Sequence, residues 1–169
     1  MWKVWVFLAP LCPICQDYTF YLNAMHEQWE LEYPGQIEFV GWFPNPTVSE
    51  EQIAEFEDRY AVEWELASDT VGWADQLNAS WTPEVFVLDS LGEVRYRGRI
   101  NDFYFALGKH RNSPRNQDLQ DAVEALLKGE TSNTPGGPFQ KTVLDDFICS
   151  FSSFIETGPI SRIISSISI

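Results

Sequence analysis

The chain has 169 residues, 44% of them hydrophobic and including seven Trp and twelve Phe, and its 11 Lys plus Arg face 25 Asp plus Glu for a formal net charge of −14. This length suits one domain with an appendage and hides roughly 68–70% of the unfolded surface, so the fold needs neither metal nor disulfides to hold together. The apolar content excludes general disorder, and the acidic excess without a basic stripe excludes a phosphate-backbone partner, so no nucleic acid is expected.

Val4 to Ala9 is continuously apolar, as expected of a central strand covered on both faces. Tyr18, Leu22, Met25 and Trp29 then recur at helical spacing up to Pro34-Gly35. Ile37 to Trp42 reads as a second buried strand ended by Pro44-Asn45-Pro46. Ser49 caps the next helix with Gln52 at the capping-box position, and Ile53, Phe56 and Tyr60 face inward. Val71, Ala74 and Leu77 suggest a shorter helix ahead of Thr82-Pro83. Val85 to Leu88 is a third buried strand, the turn at Asp89-Ser90-Leu91-Gly92 follows, and Val94 and Tyr96 alternate with charges as in a strand with one wet face. Leu119, Ala122, Val123, Leu126 and Leu127 mark a last helix stopped by Gly129.

This order predicts a three-layer α/β unit over residues 1–130, with parallel first strands and an antiparallel last pair. A Ser/Thr/Gly/Pro linker follows at 131–138. The 139–169 tail carries Val143, Phe147, Phe151 and Ile155 four apart, giving one amphipathic helix that Gly158-Pro159 ends before a disordered stretch. No apolar run reaches a membrane span, and Met1-Trp2-Lys3 opens no secretory signal. As written the chain is expected to stay in the cytoplasm; a lost N-terminal leader would make it extracytoplasmic.

Two of the three cysteines, Cys12 and Cys15, form a C-x-x-C between a buried strand and a helix. Cys12 therefore falls at the helix N-terminus, where unpaired N–H groups and the helix dipole stabilise a thiolate, and Cys15 sits one turn in. Cys12 is the expected nucleophile and Cys15 the resolving thiol that releases a product and leaves a Cys12–Cys15 bridge. Pro13 suits the first helical turn because its missing N–H has no partner there. A half zinc site has the same spacing, but only His26, His110 and Cys149 remain as further ligands and they are scattered. Neither a metal nor another cofactor is expected. A Cu(I)-holding or redox-inactive module and cysteines that merely pack are the alternatives.

The pair, its position and Thr82-Pro83 ahead of a buried strand resemble the thioredoxin superfamily. More narrowly, FLAPLCPICQDY, TPEVFVLD, GEVRYRGRI and FALGKHR, within Trp2 to Glu130, resemble redoxin domains of the alkyl hydroperoxide reductase and thiol-specific antioxidant family. The resemblance implies a thioredoxin-like sandwich with a mixed central sheet flanked by helices. It also implies a cis Pro83 facing the Cys pair, with the backbone of Thr82 binding a substrate strand. A thiol-disulfide oxidoreductase acting on a protein disulfide with a dithiol reductant is the first implied activity, and a monomer or weak dimer the expected state. A thiol-dependent peroxidase with antioxidant activity is the second.

Departures from that pattern matter. Leu11 and Val6 stand where related reductases carry Trp and a buried acid, which shifts proton handling to Glu84 unless that carboxylate is merely solvated. Trp5 and Ala9 stand where a peroxidase with Cys12 as its reactive sulfur needs Pro and Thr. Arg97 and Arg99 are candidates to stabilise a thiolate or oxyanion, against the reading of a solvated strand face. Lys109-His110-Arg111, the one local basic cluster, suits either an anionic partner or an ordinary surface loop.

Overall fold

The computed structural model describes residues 1–106 and 108–130. The expected linker and tail, and Cys149, lie outside the described residues. The elements are β1 (Trp2–Phe7), α1 (Pro13–Glu32), β2 (Ile37–Phe43), α2 (Glu50–Tyr60), β3 (Glu65–Ser68), α3 (Trp73–Gln76), β4 (Glu84–Leu88), β5 (Val94–Gly98), β6 (Tyr104–Ala106), β7 (Lys109–His110) and α4 (Asp118–Leu127). β1 to β5 form one five-stranded sheet in the order β3-β2-β1-β4-β5, with β6 and β7 as a separate pair. β2 runs parallel to β1 and β3, whereas β4 is antiparallel to β1 and β5. The result is the mixed α/β sheet that the order of elements predicts.

Strand alternation divides the core between the two faces. Val4 and Val6 of β1 and Val85 and Val87 of β4 join α1, α2 and α4 in one buried cluster. Trp5, Phe7, Phe86 and Leu88 point the other way and are covered by Ala74 and Trp73 of α3. Helices thus lie on both faces, which is why β1 and β4 tolerate continuous apolar sequence. Ser49 caps α2 reciprocally, accepting from Gln52 N while Gln52 Oε1 accepts from Ser49 N at 3.0 Å. No described helix is long and apolar enough to cross a membrane.

Three local expectations change. β1 ends at Phe7 rather than Ala9: Leu8 N still donates to Trp42 O at 2.8 Å, but the Ala9 carbonyl then turns to accept from Cys12 N at 3.1 Å. The edge strand β3 is an addition, since its Glu-Leu-Ala-Ser carries no burial pattern and becomes a strand only by pairing with β2. The short β6–β7 hairpin is likewise defined by its pairing.

Gly41 marks the tightest approach of β2 to its neighbours. A Cβ there would lie 2.6 Å from both Leu66 Cδ2 and Trp64 Cζ3, and the Trp64 indole is held by its Nε1 donating to Asn23 Oδ1 at 2.8 Å. Gly41→Ala is therefore expected to destabilise the fold by about 1–3 kcal/mol through overpacking, read as a lower urea midpoint with unchanged slope.

Candidate active site

Cys12 is the N-cap of α1, in extended conformation (φ −80°, ψ 115°), and Pro13 begins the helix. Its carbonyl already accepts the helical bond from Gln16 N at 3.1 Å. One turn on, Cys15 faces the core with 0% of its surface exposed, and Cys12 keeps 4%. Both are free thiols. Thr82, from the loop entering β4, closes over them: the Cys12 thiol donates to Thr82 O at 3.8 Å, and the Thr82–Pro83 peptide bond is cis.

The two sulfurs titrate in opposite directions. Cys12 is lowered to about 6, chiefly because the Cys15 thiol donates to its sulfur; burial opposes this, and the backbone N–H groups of Cys15 and Ile14 and the Thr82 hydroxyl assist. Cys15 is raised, first by burial and then by its bond to, and the charge of, Cys12. One thiolate at Cys12 and one proton on Cys15 is the resulting state. The Thr82 hydroxyl is buried without a hydrogen-bond partner while both sulfurs are thiols, and it favours the ionised form of each.

The structure replaces the proton-handling expectation for Glu84 with a structural one. Glu84 is fully buried, yet strand alternation puts it with Phe86, on the sheet face opposite Val85 and the Cys pair. Its carboxylate accepts from Arg97 Nε and from Ser80 N, each at 2.7 Å. Arg97 keeps 39% of its side chain exposed, as the solvated-face reading has it, and is not aimed at sulfur; it also donates to Asn78 O at 2.7 Å and lies 5.1 Å over the Phe86 ring. Arg99 instead grips Asp118 at 2.9 and 3.2 Å, tying the end of β5 to the start of α4. Each guanidinium is matched to a carboxylate and held away from the thiolate-stabilising role expected of it.

Sequence reasoning missed Tyr104 and Asp17. The Tyr104 hydroxyl, on β6, donates to Asp17 Oδ2 on α1, and its ring packs 5.8 Å from Tyr18. Burial, then the bond to Asp17, raises the Tyr104 phenol, and the charge of Cys12 contributes further, which places the ring within electrostatic reach of the reactive sulfur. No local pattern signals this pairing, because its partners lie 87 positions apart. His26 packs on Phe39 at 5.7 Å, and among the described residues no group of three or more His, Cys, Asp or Glu is placed to hold a metal ion.

No protein-family model matches this chain, and no curated protein matches it. Solved structures do. A hypothetical protein of Sinorhizobium meliloti superposes with a TM-score of 0.67 at 21% identity, covering 79% of this chain and 74% of that one. The thioredoxin domain of a thiol-disulfide oxidoreductase from Bacteroides vulgatus gives 0.54 at 14% identity, over 74% of this chain and 78% of that one. A thioredoxin-like protein of Aeropyrum pernix gives 0.52 at 14% identity, over 76% of each. At such identities the likeness is one of fold: the chain has a thioredoxin-like fold. The narrower resemblance to the alkyl hydroperoxide reductase and thiol-specific antioxidant family finds no support in these comparisons.

Two outcomes follow from this geometry. Because the thiolate is the nucleophile, alkylation of reduced protein by iodoacetamide is expected to rise with pH, reach half its plateau near pH 6, and be lost in Cys12→Ser. Arg97→Leu leaves the Glu84 carboxylate buried and unpaired and is expected to cost about 3 kcal/mol in chemical denaturation. That same Arg97 variant keeps the midpoint of the alkylation profile, as befits a pair on the far sheet face.

Proposed function

We propose that residues 1–130 form the redox unit of a thiol-disulfide oxidoreductase. The observation that carries this reading is the division of labour at the head of α1: a lowered Cys12, a raised Cys15 that keeps its proton, and the Thr82 carbonyl directly above the first sulfur. The Cys12 thiolate attacks one sulfur of a protein disulfide; the Cys12–substrate S–S bond forms as the substrate's own S–S bond breaks, and the departing thiolate takes a proton from solvent. Once Cys12 is in the mixed disulfide it no longer carries the charge or accepts the bond that held the Cys15 proton, and two causes of the raised Cys15 pKa are gone. Cys15 then gives up its proton and attacks Cys12, expelling the second substrate sulfur and closing the Cys12–Cys15 disulfide. Two electrons pass from the dithiol to the substrate, and an external dithiol reductant restores the pair.

Thr82 and Pro83 form the wall beside Cys12 on which a substrate strand would lie, and Pro13 sets the start of the helix that presents the sulfur. The Bacteroides vulgatus neighbour, itself the thioredoxin domain of a thiol-disulfide oxidoreductase, supports this reading. The peroxidase reading has no observation in its favour. Trp5 points to the sheet face away from the Cys pair, and Ala9 supplies no hydroxyl to a peroxide.

The test is insulin reduction with dithiothreitol as electron source. Wild-type protein is expected to accelerate it, Cys12→Ser to abolish the acceleration, and Cys15→Ser to accumulate a mixed disulfide at Cys12 visible by intact mass. Full activity in Cys12→Ser overturns the proposal. Hydrogen peroxide offered to the reduced protein is expected to be consumed no faster than by a free thiol.

A further inference from the structure

The β6–β7 hairpin is tied to the mouth of the Cys pair yet takes no part in the sulfur chemistry. Tyr104 holds it to Asp17, and Tyr18 holds the preceding turn by donating to Asn101 O at 3.2 Å. From Tyr104 a row of rings runs outward. Phe103 lies 5.2 Å from Tyr104, 5.2 Å from Tyr21 of α1, and is stacked on His110 at 4.8 Å. Phe20 continues the row, 5.4 Å from Tyr21 and 74% exposed, and Phe105 on β6 is 52% exposed with the Arg111 guanidinium 4.9 Å over one face of its ring. Leu11, immediately before Cys12, is 79% exposed. A row of rings that runs from the packed Tyr104 out to the exposed Phe20 marks binding more often than packing.

Charge adds to the case for this segment. Lys3, Arg95, Arg97, Arg99, Arg111 and Lys128 each pair with a carboxylate. Lys109 and Arg115 here, and Arg59 on α2, are exposed and form no ion pair among the described residues, so two of these three cations fall at the hairpin and the loop that follows it. Asp102, the carboxylate that Arg115 meets through its backbone N–H, is already paired with Arg111 at 3.2 Å and accepts from Asn116 N as well. The net charge of −14 does not override this, because charges more than about 8 Å away are screened at physiological salt.

Resting on the redox reading above, we propose that the hairpin is a docking strip for polypeptide substrates whose disulfide is flanked by acidic and aromatic residues. Substrate rings stack along Phe103, Phe105 and Phe20, substrate carboxylates meet Lys109 and Arg115, and the strip delivers the disulfide to Cys12 past Tyr104 and Leu11. Charge complementarity decides for this occupant over a second copy of the chain, whose surface is acidic elsewhere but would bring the same cationic hairpin to a symmetric contact.

The test separates docking from redox chemistry. The full chain is titrated into fluorescein-labelled peptides in which Ser replaces both cysteines, one with a Glu-Phe-Glu flank and one with Lys-Phe-Lys, and anisotropy is read at low and high salt. The acidic peptide is expected to bind about tenfold tighter. That preference should shrink with salt and be lost in the double variant Lys109→Glu, Arg115→Glu; replacing the peptide Phe by Ser should weaken binding to wild type but not to Phe105→Ala. Equal binding of both peptides, or a preference that survives the double variant, overturns the proposal whatever the redox result. So does a dimer in sedimentation that the double variant dissolves with no peptide preference. Reduction of bis(2-hydroxyethyl) disulfide by the wild-type dithiol reads the redox assignment separately, since that substrate has no flanks to dock.

Discussion

The head of α1 is the constraint around which the rest is arranged. A sulfur at an N-cap meets backbone N–H groups that no helical carbonyl can satisfy, and here a second thiol one turn on adds a donor. Burial alone would make both cysteines poor acids. It succeeds in doing so only at Cys15, because at Cys12 the fixed donors outweigh desolvation. The asymmetry requires close packing as much as polarity: Val6, Leu8 and Val85 belong to the same buried cluster as both sulfurs and keep water from levelling their difference.

β4 serves both sides of the sheet at once. Val85 and Val87 complete the cluster beneath the sulfurs, while Glu84 and Phe86, displaced by one residue, face α3 and receive Arg97. The loop that enters this strand carries Thr82, so the registration of β4 against β1, Val6 opposite Val85, sets how that carbonyl stands over Cys12. The pair of buried Glu84 with half-exposed Arg97 on the far face is thus linked through one short strand to the geometry of the reactive centre.

Arg99 with Asp118 and Tyr104 with Asp17 make two further joins, one from β5 to α4 and one from the hairpin to α1. Arg99, Asp118 and Tyr104 have little exposure, so an unmade bond there would be costly, whereas Asp17 reaches Tyr104 from the solvent-exposed side of α1. They give the hairpin a defined seat beside Cys12 although it adds no strand to the main sheet. A surface loop placed in this way varies the approach to a catalytic centre without altering the centre itself.

Local patterns in the chain determined the strands β1, β2, β4 and β5, all four helices, the Ser49 cap and the Cys12–Cys15 pair at a helix start, because each rests on neighbours a few positions apart. Tertiary structure decided the remainder. Glu84 looked available beside Pro83, and only the alternation of a strand covered on both faces turned it away from sulfur and into a closed pair with Arg97. Arg99, Tyr104 and Asp17 found partners tens of residues distant, and β3 and the β6–β7 hairpin exist through pairing rather than propensity. Reactivity could be read from one helical turn because its causes are local, whereas the surroundings of the sulfur depend on which distant groups the folded chain brings within a few ångströms.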